Sequence, residues 1–143
     1  MIVVDVNVLI AAYLEGHPAH ADAAPWLAAA SADATDPVVV PDLVWVAFVR
    51  IATNPRIVGA AANLADALGF VADITAAPGY RRHPGLLSGI GPFTRLCHDS
   101  NATAGLVTDA YIAAVALSLA CPVATFDRDF HRFDGLALVT PTR

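Results

Sequence analysis

The chain has 143 residues, a mass of 14.8 kDa and a formal net charge of −5. That length points to one domain with one sizeable core, residues 1–143, and the acidic balance excludes a protein that coats nucleic acid by bulk attraction. An apolar fraction of 57% and a mean hydropathy of +0.58 are high for a soluble chain; part of the excess is alanine, and the rest points to apolar surface that meets a partner.

In chain order, MIVVD predicts a buried strand, Ile2 to Val4, that ends on Asp5. A helix from Asn7 is stopped by Gly16, and a second runs from near Pro18 to about Ala32. Val38 to Val40 is a buried strand closed by Pro41, and Asp42 is placed to cap the apolar helix LVWVAFVRIAT, which ends before Asn54-Pro55. Ala60 to Thr75 predicts a helix. APGYRRHPG is a turn-rich connection with a short strand, and Leu86 to Ser100 is helical but interrupted by Gly89 and Gly91-Pro92. Leu106 to Ala120 is a strong helix. Pro122 introduces the strand Val123 to Phe126, RDFHRF is a single helical turn, and Leu136 to Val139 is the last strand. This order predicts an α/β sandwich with a mostly parallel sheet of four or five short strands.

The longest apolar stretch, Ala110 to Phe126, is short for a membrane span, and Pro122 divides it into a helix and a strand. No basic region precedes the first apolar run, which Asp5 interrupts, so neither a signal peptide nor a membrane role is expected and the cytoplasm is the default location. Cys97 and Cys121 show no zinc spacing and read as small buried hydrophobes; His17 and His20 lack further ligands nearby. Trp26 and Trp45 read as core residues.

Two apolar strands each end on a carboxylate: Asp5, and Asp127 in VATFDRDF. In parallel sheets ligands collect at the carboxyl ends of the strands, so these acids converge if their strands are neighbours. Convergent carboxylates repel unless one is protonated or a hard cation lies between them, and Mg²⁺ suits such a site. Each acid taken singly reads as the cap of the turn that follows it. Asp109 is the third candidate, in the first turns of a helix too apolar to be peripheral.

VVDVNVLIAAY, LVTDAYIAA and ATFDRDFHRF, in that order and over nearly the whole chain, resemble the PIN-domain ribonucleases, and specifically the VapC-like toxins of toxin–antitoxin pairs; PDLVWVAFVRIATNPR is similar to one branch of them. The resemblance implies a three-layer α/β/α sandwich and a growth-inhibiting endoribonuclease dependent on Mg²⁺ or Mn²⁺. Asp5, Asp109 and Asp127 would form its catalytic, metal-binding cluster. Asn7 and Thr125 would orient it, and Asp129 would either assist or cap the RDF turn. It also implies a homodimer, a VapB-like antitoxin partner, contact with promoter DNA only through the antitoxin complex, and structured RNA, best guess transfer RNA, as substrate, cut to leave 5′-phosphate and 3′-hydroxyl ends. One position departs. Most PIN domains carry a glutamate just before the apolar-apolar-Arg segment of the third helix, and here Ala47 precedes Phe48-Val49-Arg50. That leaves one or two metals open and admits a feeble or inactive enzyme.

Every basic residue is arginine; there is no lysine. Arg50, Arg56, Arg81, Arg82, Arg128 and Arg132 are the candidates for RNA phosphate, with Arg81-Arg82-His83 reading equally as a solvated loop. The missing lysine argues against phosphoaspartyl phosphatases and receiver domains, which use one to balance the phosphate. A non-catalytic binding module, supported by Ala47, and a DNA-cutting relative are the remaining alternatives.

Overall fold

The computed structural model describes residues 1–142. Two runs of valine and isoleucine set its centre: β1 (Ile2–Val4) and β2 (Val38–Pro41) are buried at every position, as strands covered on both faces must be. With β3 (Tyr80–His83), β4 (Val123–Ala124) and β5 (Leu138–Val139) they form a sheet in the order β3-β2-β1-β4-β5, parallel at every pairing. The helices are α1 (Val6–Tyr13), α2 (His20–Ala32), α3 (Asp42–Ala52), α4 (Pro55–Val58), α5 (Leu64–Ala76), α6 (Gly91–Asp99) and α7 (Gly105–Ser118). Right-handed crossovers from β1 through β2 to β3 put α1 to α5 on one face, and the return from β3 to β4 puts α6 and α7 on the other. The packing agrees: α1 lies against α2 and α3, α3 against α5, and α6 against α7. The result is the expected three-layer α/β/α sandwich.

Two apolar helices fill the layers. α3 buries Val44, Trp45, Phe48 and Ala52, and α7 buries Ala110 and Ile112 to Ala116. Phe48 is fully buried, with the rings of Tyr13, Trp45 and Phe70 at centroid distances of 5.4, 6.0 and 5.1 Å. Trp45 stays inside because its indole N–H donates to the Tyr80 hydroxyl at 3.3 Å. Trp26 is partly buried against the core. Cys97 and Cys121 are unpaired and only half-buried, more exposed than expected.

Several boundaries differ from the sequence expectation. Asp42 does not cap α3: Pro41 holds that position without a side-chain bond, Asp42 is the first helical residue, and its carboxylate accepts from Arg82. α5 starts at Leu64 rather than Ala60, because the Asn63 side chain caps it by accepting from the N–H groups of Ala65 and Asp66. The preceding residues form α4 and a 3₁₀ turn, Gly59–Ala61. Gly91-Pro92 opens α6 instead of interrupting it, since proline's missing N–H is harmless in a first turn. β4 stops at Ala124; the Thr125 N–H still donates to the Val139 carbonyl at 3.0 Å, and Phe126 and Asp127 then turn away into side-chain hydrogen bonds.

α7 ends at Ser118 and β4 begins at Val123, so Pro122 does separate helix from strand. Among the described residues no single helix is long and apolar enough to cross a membrane; α3 and the segment Pro55–Ala61 reach that length only as a pair bent by 62°.

The register positions the site. Val3 pairs with Val39 and Val123, Val4 with Ala124, and Pro41 with His83. Continued to the carboxyl edge, it makes one row of His83, Pro41, Asp5 and Thr125. Replacing Phe48 with alanine is expected to lower stability by about 3–5 kcal/mol, read as the shift in a denaturant-unfolding midpoint.

Candidate active site

Asp5 leaves the sheet at the end of β1 and immediately precedes α1. It is 3% exposed, as is Thr125 beside it at the end of β4. The Thr125 hydroxyl donates to Asp5 Oδ2 at 2.7 Å. Thr125 Oγ1 in turn accepts from Asn7 Nδ2 at 3.0 Å and from the Asp127 backbone N–H at 3.0 Å. Asn7 completes the loop by accepting the Phe126 N–H through Oδ1 at 3.3 Å. One hydroxyl thus makes three hydrogen bonds and ties together the ends of two strands and the first turn of α1. Asn7 and Thr125, named in the sequence reading as residues that orient the acids, are joined to each other and to Asp5 by these hydrogen bonds.

Burial disfavours the charged form of Asp5 and raises its pKa to about 6, even though the Thr125 hydroxyl and the backbone N–H groups of Val6 and Asn7 pull it down; the charge of Asp127 adds to the rise. Asp109, half-buried near the start of α7, is raised to about 7, first by burial and then by the charges of Asp5, Asp127 and Asp129. Carboxylates from four places in the chain therefore act on one another. Asp127 also caps the following 3₁₀ turn, Arg128–Arg132, by accepting from the Asp129 N–H at 2.8 Å. The capping role does not remove Asp127 from the cluster, since its charge also acts on Asp5 and Asp109. Asp129 does not cap the turn; it pairs with Arg132 at 3.3 Å.

Among the described residues no three His, Cys, Asp or Glu side chains stand close enough to enclose an ion. The acids share an electrostatic field and not a common coordination point. Their chemistry nevertheless fits a hard divalent cation: the donors are all oxygen, and the crowding that raises Asp5 to about 6 and Asp109 to about 7 is what a cation would relieve. Asp42 is not among the charges that act on Asp5 or Asp109, so it does not stand in for the glutamate missing at Ala47.

The arginines divide. Arg128 lines a cavity of about 350 Å³ with Thr125, Asp127 and His131. Arg82 binds Asp42 at the carboxyl edge, 2.9 Å apart. Arg81 folds back onto the carbonyls of Pro78 and Tyr80. Arg50, two turns along α3, lines an apolar hollow with Trp45, Val46, Val49 and Val71, and Arg56 is exposed on α4; neither joins the acids. A cavity of about 630 Å³ under Tyr13, His17, Ile57 and Asp66 contains none of the acids that act on Asp109. Two polar residues escaped the sequence reading. His83 is 6% exposed with its Nε2 unpartnered, and Tyr111 packs on the turn after β3. His83 appeared only as part of a basic run, and nothing local marks Tyr111.

Acids at the carboxyl edge of a parallel five-stranded sheet in a three-layer sandwich define a class, and residues 2–136 match the PIN domain. The chain belongs to the PIN-domain family. Within it, the chain is 38% identical to Ribonuclease VapC31 of Mycobacterium tuberculosis, over 99% of each chain. It is equally similar to Ribonuclease VapC25 of that organism over the same shares, and 34% identical to its Ribonuclease VapC43 over 95% of this chain and 92% of the relative.

Thr125→Val is expected to raise the pKa of Asp5 above its value of about 6, followed by carboxyl NMR titration, and to lower stability by about 1–3 kcal/mol through the donors left unpaired. A second outcome follows from linkage. Both raised carboxyls bind protons in the folded state at pH values where the unfolded chain, near 3.8, has lost them. Stability in EDTA should therefore fall as pH rises from about 4 to about 7. Asp109→Asn should flatten that fall in thermal melts.

Proposed function

We propose that this chain is the toxin of a VapBC-type pair, an endoribonuclease that uses Asp5, Asp109 and Asp127 to cleave RNA with Mg²⁺, Mn²⁺ being the alternative. The observation that carries the reading is the mutual electrostatic action of these acids, at the carboxyl edge of the sheet, in a chain similar over its whole length to proteins named VapC ribonucleases.

Asp5, Asp109 and Asp127 would hold the ion between them, in part through bound water, since the three carboxyls do not close on one coordination point. When bound, it supplies Lewis acidity toward a phosphate oxygen and toward water. The chain's own residues do the remaining work. Thr125 fixes the Asp5 carboxylate, and Asn7 fixes Thr125, so the first acid needs no reorganisation when substrate arrives. Asp109 carries a proton near neutral pH and releases it as positive charge enters the cluster. Arg128 lines a cavity with Asp127 and is the proposed contact for a phosphate on the β4 side. Water then attacks phosphorus in line and the ribose 3′-oxygen leaves, giving 5′-phosphate and 3′-hydroxyl ends. Structured RNA, with transfer RNA foremost, is the proposed substrate class.

A homodimer and a VapB-like antitoxin are the proposed partners, with promoter DNA reached only through the antitoxin complex. Support comes from exposed apolar side chains on α3, α4 and α5, namely Val46, Ile57, Leu64 and Leu68. An antitoxin arginine would find compensating charge among the acids.

Ala47 favours a second reading, a weak or inactive module that acts by binding its antitoxin. The two separate in one assay. On the ribonuclease reading, purified protein cleaves total RNA with Mg²⁺, EDTA stops it, and Asp5→Asn and Asp109→Asn each reduce it by more than about 100-fold. Cleavage that survives EDTA removes the ion from the mechanism, and no cleavage by the native chain leaves the binding module.

A further inference from the structure

A second polar cluster borders the acids on the opposite side from Thr125. His83 ends β3 in the same row as Asp5, two strand spacings away, or about 10 Å. Its Nδ1 accepts the Gly85 N–H at 3.1 Å, which places the ring proton on Nε2. That Nε2–H is buried and has no acceptor, and a buried donor left unpaired is costly enough to require a reason. The turn that holds it is built for close approach. Gly85 sits at φ +121°, and a Cβ there would run into the Tyr111 hydroxyl. Asp42 lies within electrostatic reach of His83, while its carboxylate is engaged by the Arg82 guanidinium at 2.9 Å. The Arg82 and Asp42 side chains are 70% and 44% exposed, and an ion pair so exposed is weak.

We propose that Arg82, backed by Asp42, His83 and Tyr111, is a phosphate subsite for the RNA strand on the β3 side of the acids: Arg82 leaves Asp42 for a backbone phosphate, and the freed Asp42 carboxylate is taken up by the His83 Nε2–H. The proposal rests on the ribonuclease reading for its ligand. Arg82 makes one hydrogen bond to Asp42, at 2.9 Å, whereas a guanidinium can grip phosphate through two parallel hydrogen bonds. The hand-over has its own logic. A bare Asp42 beside an RNA backbone would repel it, and a hydrogen bond to His83 draws that charge toward the protein. Arg81 is already tied to its own strand's carbonyls and leaves Arg82 as the available cation of β3.

The test measures binding directly, with a labelled single-stranded RNA of mixed sequence and full-length protein carrying Asp109→Asn. Added Arg82→Ala should weaken binding about tenfold and reduce the slope of log affinity against log salt by about 0.7. His83→Asn keeps an acceptor for Gly85 but has no distal donor, and should weaken binding about threefold; His83→Gln, which restores a distal N–H, should recover it. Unchanged affinity and slope in Arg82→Ala, whose exposed side chain is dispensable for folding, would overturn the subsite. Equal affinities for the Asn and Gln variants, with only thermal stability altered, would overturn the hand-over. Cleavage of the RNA by the Asp109→Asn protein would instead refute the role given to the acids, and the binding data would still be readable.

Discussion

The Thr125 hydroxyl is the joint on which the carboxyl edge is assembled. It belongs to the strand that α7 feeds, it donates to the acid at the end of the first strand, and it accepts from a side chain on the first turn of α1. Two segments about 120 residues apart in sequence meet at one oxygen whose donor and acceptor capacity is used in full. The arrangement depends on the parallel sheet, because only neighbouring parallel strands bring Asp5 and Thr125 level. It also depends on burial: in water a hydroxyl–carboxylate bond would exchange with solvent at little gain, while here losing it would strand a buried acid.

The fold holds like charges where they act on one another, and the rest of the site tempers them by degrees. Asp5 has donors and so rises only part of the way, whereas half-buried Asp109 faces three other carboxylates and rises further. Ala47 on α3 adds no charge of its own. Asp42 does not add one to the cluster, being bound up with Arg82 on the far side of β2. The edge thus divides into an acidic half around β1 and β4 and a mixed half around β2 and β3.

Much of this was legible in the chain. Apolar runs ending on Asp5 and before Asp127 gave strands whose ends carry acids, and the apolar run after Asp109 gave a buried helix. Asn7 and Thr125 were found only because they matched a family pattern; composition says nothing of a hydroxyl shared by three partners. What stayed hidden was whatever depends on strand register. His83 reads as part of a basic loop until the ladder sets it beside Pro41, and Tyr111 acquires a role only once the Gly85 turn lies against α7. Asp42 was misread because an acid before an apolar helix is a cap by local rules, and the guanidinium that claims it comes 40 residues later. Element boundaries slipped where a better cap was available nearby, as with Asn63.

β3 has one further consequence, because it is an outermost strand. A row of unpaired backbone groups at a sheet edge invites another chain to add on, and natural proteins blunt such edges with charge. Tyr-Arg-Arg-His does so here: Arg81 turns its guanidinium onto neighbouring carbonyls, and Arg82 projects a solvated cation from the rim. These charged side chains therefore discourage the sheet from propagating between molecules. Apolar replacements along this rim would remove that guard and favour self-association.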